Sequence, residues 1–137
     1  MSDAAATDPS TYVLVVEDDT ETSKLLVTLF RKAGYEARGV DDGTTAMTAL
    51  DERRPDLLCV DLGLPLVSGF ELVNYVRSNP KLKGLPVLVV TARTTLEDAT
   101  HAQEAGADVI VYKPFKRRHL LDTAGELLAR PRKTGSR

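Results

Sequence analysis

Cysteine is almost missing from the chain. Cys59 is the only one in 137 residues, so an intramolecular disulfide is excluded, and the residue reads as core. No secretory h-region and no apolar run of about 20 residues occurs, so neither a signal peptide nor a membrane span is expected, and the expected location is cytoplasmic. Internal repeats and low-complexity blocks are absent too. A length of 137 residues leaves no room for a second folded domain beside one of roughly 100–150 residues. His101 and His119 have no second histidine or cysteine at ligand spacing, which argues against a transition-metal site; both read as surface residues. There is also no excess of charge of one sign. With 18 basic and 20 acidic residues the net charge is −2, which argues against general nucleic-acid binding. Arg130, Arg132, Lys133 and Arg137 concentrate four of the basic residues in the last eight positions, so the body is acidic and the tail basic.

What is present is 42% hydrophobic residues, enough for a core, in a regular alternation. Residues 1–10 are rich in Ala, Asp, Ser and Thr and read as a disordered N-terminal segment, with one domain over 11–130 and a basic flexible tail over 131–137. Tyr12-Val13-Leu14-Val15-Val16 is a strand run that stops at Glu17-Asp18-Asp19, and Leu25, Leu26, Leu29, Phe30 and Ala33 then recur at helical spacing up to Gly34. A weaker strand over 35–40 leads through Asp41-Asp42-Gly43 to a helix on Ala46, Ala49 and Leu50, closed by Pro55. Leu57 to Val60 is a short apolar run ending at Asp61 and a Gly/Pro-rich turn, and a helix on Leu72, Val73 and Val76 stops near Asn79-Pro80. Residues 86–92 are a continuous strand, followed by a helix whose capping box is expected at Thr94 and Glu97. Asp108 to Tyr112 is a fifth strand before Lys113-Pro114-Phe115, and Leu120, Leu121, Ala124, Leu127 and Leu128 mark a last helix. Five strand-helix units imply an α/β domain: a five-stranded parallel sheet, strand order 2-1-3-4-5, helices on both faces, flavodoxin-like.

In such a sheet the crevice beyond the carboxyl ends of the strands is where ligands bind. Those ends carry Glu17 and Asp18, then Asp61, then Thr91, then Lys113. Three clustered carboxylates repel one another unless a cation sits among them, and hard oxygen donors favour Mg2+. The set suits phosphoryl transfer, with Asp61 as the attacking carboxylate, Lys113 pairing with one phosphoryl oxygen and Thr91 donating to another.

At these residues the sequence resembles the receiver domain of two-component response regulators, over about residues 11 to 130. The order Glu17-Asp18, Asp61, Thr91-Ala92, Lys113-Pro114-Phe115 carries the resemblance. It implies a phosphoryl group received on Asp61 from the phosphohistidine of a sensor histidine kinase or a histidine phosphotransfer protein. It also implies Mg2+ on Asp18, Asp61 and the Gly63 backbone carbonyl, with Glu17 acting through water, and a cis Lys113-Pro114 peptide. The chain is then a phosphoacceptor signalling domain rather than an enzyme acting on other substrates, and catalyses only its own phosphorylation and dephosphorylation. An output protein is a further partner, and a phosphorylation-dependent dimer one expected form. Neither membrane association nor sequence-specific nucleic-acid binding is expected. A receiver that belongs to a larger regulator with a separate output domain is the alternative.

One departure stands out. Receivers commonly carry an aromatic residue three positions before the active-site lysine, and here Ile110 holds that place, with Tyr112 on the same strand face two residues later. Tyr112 is the candidate replacement in signalling. Two other classes fit less well. A flavodoxin-like electron carrier needs a hydroxyl- and amide-rich phosphate loop where Glu17-Asp18-Asp19 stands, and an aspartyl phosphatase needs an acid two residues after its nucleophile, where Gly63 stands. Asp18 and Asp19 could by themselves simply cap the first helix. Lys116, Arg117 and Arg118 oppose the dipole of the last helix; a solvated face is the plain reading and docking to an acidic partner the sharper one. Leu64, Leu66 and Val67 place apolar side chains beside Asp61, for inward packing or for a kinase helix. Arg93, two residues after Thr91, is placed to govern water access.

Overall fold

The computed structural model describes residues 11–130; the N-terminal segment and the basic tail expected at 1–10 and 131–137 lie outside the described residues. Ten elements alternate along the chain: β1 (Tyr12–Val16), α1 (Thr20–Lys32), β2 (Glu36–Val40), α2 (Gly43–Glu52), β3 (Leu57–Val60), α3 (Gly69–Ser78), β4 (Val87–Thr91), α4 (Leu96–Ala105), β5 (Val109–Tyr112) and α5 (Arg117–Ala129). All pairings are parallel and the order is β2-β1-β3-β4-β5, as the alternation requires.

The apolar runs of β1, β3 and β4 are buried at every position because helices cover both faces. Period-two alternation divides each strand between two cores. Leu14, Val16, Leu58 and Val60 pack with α2, α3 and α4, while Val13, Val15, Leu57 and Cys59 pack with Leu26, Leu29 and Phe30 of α1 and Leu120, Ala124 and Leu127 of α5. Cys59 is core, and burial pushes its thiol up to about 12, which leaves it unreactive. The chain leaves β1 and β3 toward opposite faces, so a crevice opens between their carboxyl ends.

Two expectations shift in detail. The cap of α4 is Thr95, whose hydroxyl accepts from Asp98 N at 3.1 Å, one residue later than the Thr94–Glu97 box. The capping box that does form is Ser68 with Glu71 at the start of α3, an S-x-x-E pattern present in the sequence. Both histidines are exposed as expected, although the His101 ring stacks on Phe70 with centroids 4.1 Å apart. Among the described residues no helix is long and apolar enough to cross a membrane.

At the amino-terminal end of the sheet, Arg77 closes the bottom of the fold. Its guanidinium donates to the carbonyls of Lys83, Leu85 and Gly106 and to Asp108, whose Oδ2 also accepts from Val87 N at 2.8 Å. All five N–H groups are engaged, which fits a structural role rather than a ligand site.

Candidate phosphoacceptor site

The backbone continues past β1 for one residue. Glu17 N donates to Val40 O at 3.0 Å, which holds Glu17 in the floor of the crevice at 2% exposure. Asp19 turns away to become the cap of α1, its Oδ2 accepting from Thr22 N at 2.9 Å and from the Thr22 hydroxyl at 2.6 Å. The acidic turn is therefore divided: Asp19 serves the helix, and Glu17 and Asp18 face Asp61, with one carboxylate oxygen of each residue within 4.8 Å of the other two.

Asp61 is aligned by its neighbours. Its N–H donates to Val16 O at 3.0 Å, and Gly63 N reaches its Oδ1 at 3.4 Å. Two close approaches pin the loop that follows. A Cβ on Gly69 would fall 2.2 Å from Asp61 O, and one on Gly43 would fall 2.1 Å from Val67 O, so only hydrogen fits at either place. Between them Leu64 packs inward and Val67 is half-buried, while Leu66 sits at φ 68° with its side chain 80% exposed. Of the three apolar loop residues, it is Leu66 that stands free for a partner.

β5 delivers the cation. Lys113 Nζ lies 2.6 Å from Glu17 Oε1 and 3.2 Å from Asp61 Oδ2. Burial works against the ammonium, but its hydrogen bond to Glu17 and the charge of Asp61 outweigh it, so its pKa stands above the ordinary lysine value. Burial is also the main reason the Glu17 pKa is raised, with Lys113 acting in the opposite direction. The Lys113–Pro114 peptide is cis.

Thr91 ends β4 on the neighbouring strand, 1% exposed, its Oγ1 accepting from Arg93 N at 3.1 Å. Glu17, Asp18, Asp61 and Lys113 are thus brought together directly, Thr91 stands at the same rim, and Gly63 adjoins Asp61. The Arg93 guanidinium spans the rim, with Nε and Nη2 each 3.5 Å from where a Cβ on Gly63 would lie. That proximity brings together two loops distant in sequence, and no local motif announces it. Ile110 is half-buried against the α2–α3–α4 core and Tyr112 is 41% exposed.

Comparison with known proteins gives this geometry a family. The model of the response regulator receiver domain matches residues 13–124. The DNA-binding response regulator MtrA of Mycobacterium tuberculosis is 37% identical over 109 residues, 80% of this chain and 46% of that protein. The transcriptional regulatory protein GltR of Pseudomonas aeruginosa is 36% identical over 118 residues, 86% of this chain and 49% of that protein. The chain therefore spans about half the length of these curated relatives. Among solved structures, the chemotaxis protein CheY4 of Vibrio cholerae superposes with a TM-score of 0.81 at 30% identity, covering 86% of this chain and 98% of that one. The receiver domain of the sensor histidine kinase PA1611 of Pseudomonas aeruginosa, described with a magnesium ion in its active-site cleft, gives 0.83 at 25% identity over 88% and 99%. With five parallel strands in the family's order and acids, hydroxyl and lysine at their ends, the chain belongs to the response regulator receiver domains.

Proposed function

We propose that Asp61 accepts a phosphoryl group from a phosphohistidine of a sensor kinase or histidine phosphotransfer protein, and that the acyl phosphate changes how the domain binds an output partner. The observation that carries this is Lys113 Nζ placed between Glu17 and Asp61: it holds the attacking carboxylate at the mouth of the crevice and stands ready to pair with an incoming phosphoryl oxygen. In the transfer, one Asp61 oxygen forms the O–P bond as the P–N bond breaks in line. The electron pair returns to the ring nitrogen, and imidazole, protonated on its other nitrogen, leaves neutral. Thr91, its hydroxyl fixed by Arg93 N–H, donates to a phosphoryl oxygen once the group is in place.

The donor set fits Mg2+, being carboxylate oxygens alone, one from a buried residue, one from a half-buried residue and one at the solvent edge. Asp18, Asp61 and the Gly63 carbonyl would hold the ion, with Glu17 through water. Bound there it supplies charge neutralisation for the equatorial oxygens. The chemistry of the domain is then confined to its own phosphorylation and dephosphorylation, as suits a signalling module in the cytoplasm. A second reading, a receiver working inside a longer regulator, is favoured by the relatives' doubled length and by their being named DNA-binding or transcriptional regulators.

Intact mass after incubation with acetyl phosphate and Mg2+ tests the assignment. One phosphoryl adduct is expected on the wild type, none on Asp61→Asn, and none when the ion is chelated. A wild type that stays unlabelled, or an adduct that persists in the variant, overturns it.

A further inference from the structure

The end of the sheet away from Asp61 holds a pocket of about 290 Å³ that the phosphoacceptor chemistry does not use. Its walls come from the loops before β3, β4 and β5 and from the end of α5. Those walls are tied to one another. Arg77 joins the loop before β4 to the loop before β5, donating to Lys83 O at 2.8 Å, Leu85 O at 2.6 Å and Gly106 O at 2.8 Å. Asp56 joins the loop before β3 to β1 by accepting from Tyr12 N at 2.8 Å. A pocket held open in this way demands little ordering when a ligand enters.

The lining divides by chemistry. Leu127 is buried and Leu128 and Pro86 are half-buried, an apolar floor, while Lys83 and Arg130 are exposed at the lip. The two acids of the lining are already engaged: Asp108 Oδ2 accepts from Arg77 Nη2 at 2.9 Å and from Val87 N at 2.8 Å, and Asp56 holds Tyr12 N. The lip cations have donors to spare. No ion pair among the described residues involves Lys83. Arg130 has a single approach to Asp108, at 3.7 Å with half the arginine side chain exposed, a contact worth little. With Arg77 included, three cations stand against two carboxylates, so the lining carries one surplus positive charge.

We infer that this pocket binds a small monocarboxylic acid with a compact apolar body, its carboxylate bridging Lys83 and Arg130 and its hydrocarbon lying on Leu127, Leu128 and Pro86. At the roughly 30 Å³ that one water takes in the liquid, the volume admits about ten non-hydrogen atoms, the size of an arylacetate. A few convergent charges over an apolar floor is the usual make-up of a small-molecule site. A phosphate ester fits less well, because its second negative charge would face Asp56 and Asp108 with no surplus cation left to meet it. Once bound, the carboxylate clips the loop before β4 to the end of α5, so occupancy raises the Tm.

The test titrates the full isotope-labelled chain with phenylacetate, phenylacetamide and acetate, and reads the backbone amide resonances. Phenylacetate is expected to shift Gly84, Gly106 and Arg130 saturably and to raise the Tm. Phenylacetamide lacks the charge and acetate lacks the apolar body, so each is expected to bind about tenfold more weakly. The double variant Lys83→Gln, Arg130→Gln keeps the side-chain stems and every bond of Arg77, and is expected to melt with the wild type when no ligand is present. It should lose about tenfold in affinity for phenylacetate and bind phenylacetamide as the wild type does. Equal affinity of the wild type for phenylacetate and phenylacetamide overturns the inference, as does a double variant that binds phenylacetate as tightly as the wild type. Shifts confined to Lys116, Arg117 and Arg118 would show an anion held by an exposed basic turn and not by the pocket, and overturn it too.

Discussion

One ammonium spans the carboxylates of two strand ends: Lys113 Nζ stands 2.6 Å from Glu17 Oε1 and 3.2 Å from Asp61 Oδ2. It offsets part of their charge with its own and repels a divalent ion offered to the same oxygens. Lys113→Ala is therefore expected to bind Mg2+ about tenfold more tightly by titration calorimetry. The same variant should hold its phosphoryl group less well, having lost a partner for one oxygen. Unchanged Mg2+ affinity would contradict the competition.

Two glycines with opposite surroundings give opposite predictions. A methyl at Gly69 would meet Asp61 O at 2.2 Å and Leu62 Cα at 2.6 Å, and both are backbone atoms that cannot swing aside. Gly69→Ala should lower stability by about 2 kcal/mol or more and reduce Asp61 labelling, because the strand end must move. Gly125, in α5, has nothing closer to such a methyl than the Tyr35 hydroxyl at 4.0 Å. Gly125→Ala should add about 0.5–1 kcal/mol by urea unfolding and leave labelling unchanged.

Glu17, Asp61 and Thr91 are legible in sequence because a continuous apolar run that stops at a polar residue has one physical reading in a sheet covered on both faces. Val87–Thr91 is buried throughout, and the same holds for the runs that precede Glu17 and Asp61. The roles of Asp18 and Asp19 are not separable that way, since either could cap α1 and only the turn geometry gives the cap to Asp19. The α4 cap fails for a similar reason. Thr94 and Thr95 each have an acid three residues on, and the entry angle of the chain, which no local pattern carries, favours Thr95. Arg77 escapes altogether because three of its partners are backbone carbonyls, which any residue supplies.

Acid should act partly through helix caps. The Asp42 carboxylate sits below its ordinary pKa chiefly because it accepts from Thr45 N, at 2.7 Å. A carboxyl with a lowered folded pKa stabilises above the ordinary carboxylate range, and that contribution is lost as pH falls through the lowered value. The Tm difference between wild type and Asp42→Ala should be constant from pH 6 to 8 and shrink below about pH 4. A difference that holds at every pH would remove this account.

Signalling through β5 is expected to involve Tyr112, because Ile110 offers no ring and is half-buried against the core while Tyr112 is 41% exposed. Its ring resonances should shift on phosphorylation of the wild type and stay fixed in Thr91→Val. Identical Tyr112 environments in the free and phosphorylated states would exclude it.

Arg93 should set how long the phosphoryl group lasts. Its N–H fixes the Thr91 hydroxyl, and its guanidinium reaches from that turn toward the loop after Asp61, its Nε and Nη2 each 3.5 Å from where a Cβ on Gly63 would lie. Water that hydrolyses an Asp61 acyl phosphate is expected to enter beside that group. The only ion pair of Arg93 among the described residues is to Asp98, at 4.0 Å with half the arginine exposed, a contact worth little to folding. Arg93→Ala should therefore keep its Tm, accept phosphoryl groups at nearly the wild-type rate, and lose them several-fold faster once acetyl phosphate is removed, as read by intact mass over time. Equal changes in gain and loss would mean that the guanidinium acts on the phosphoryl group itself and not on the approach of water.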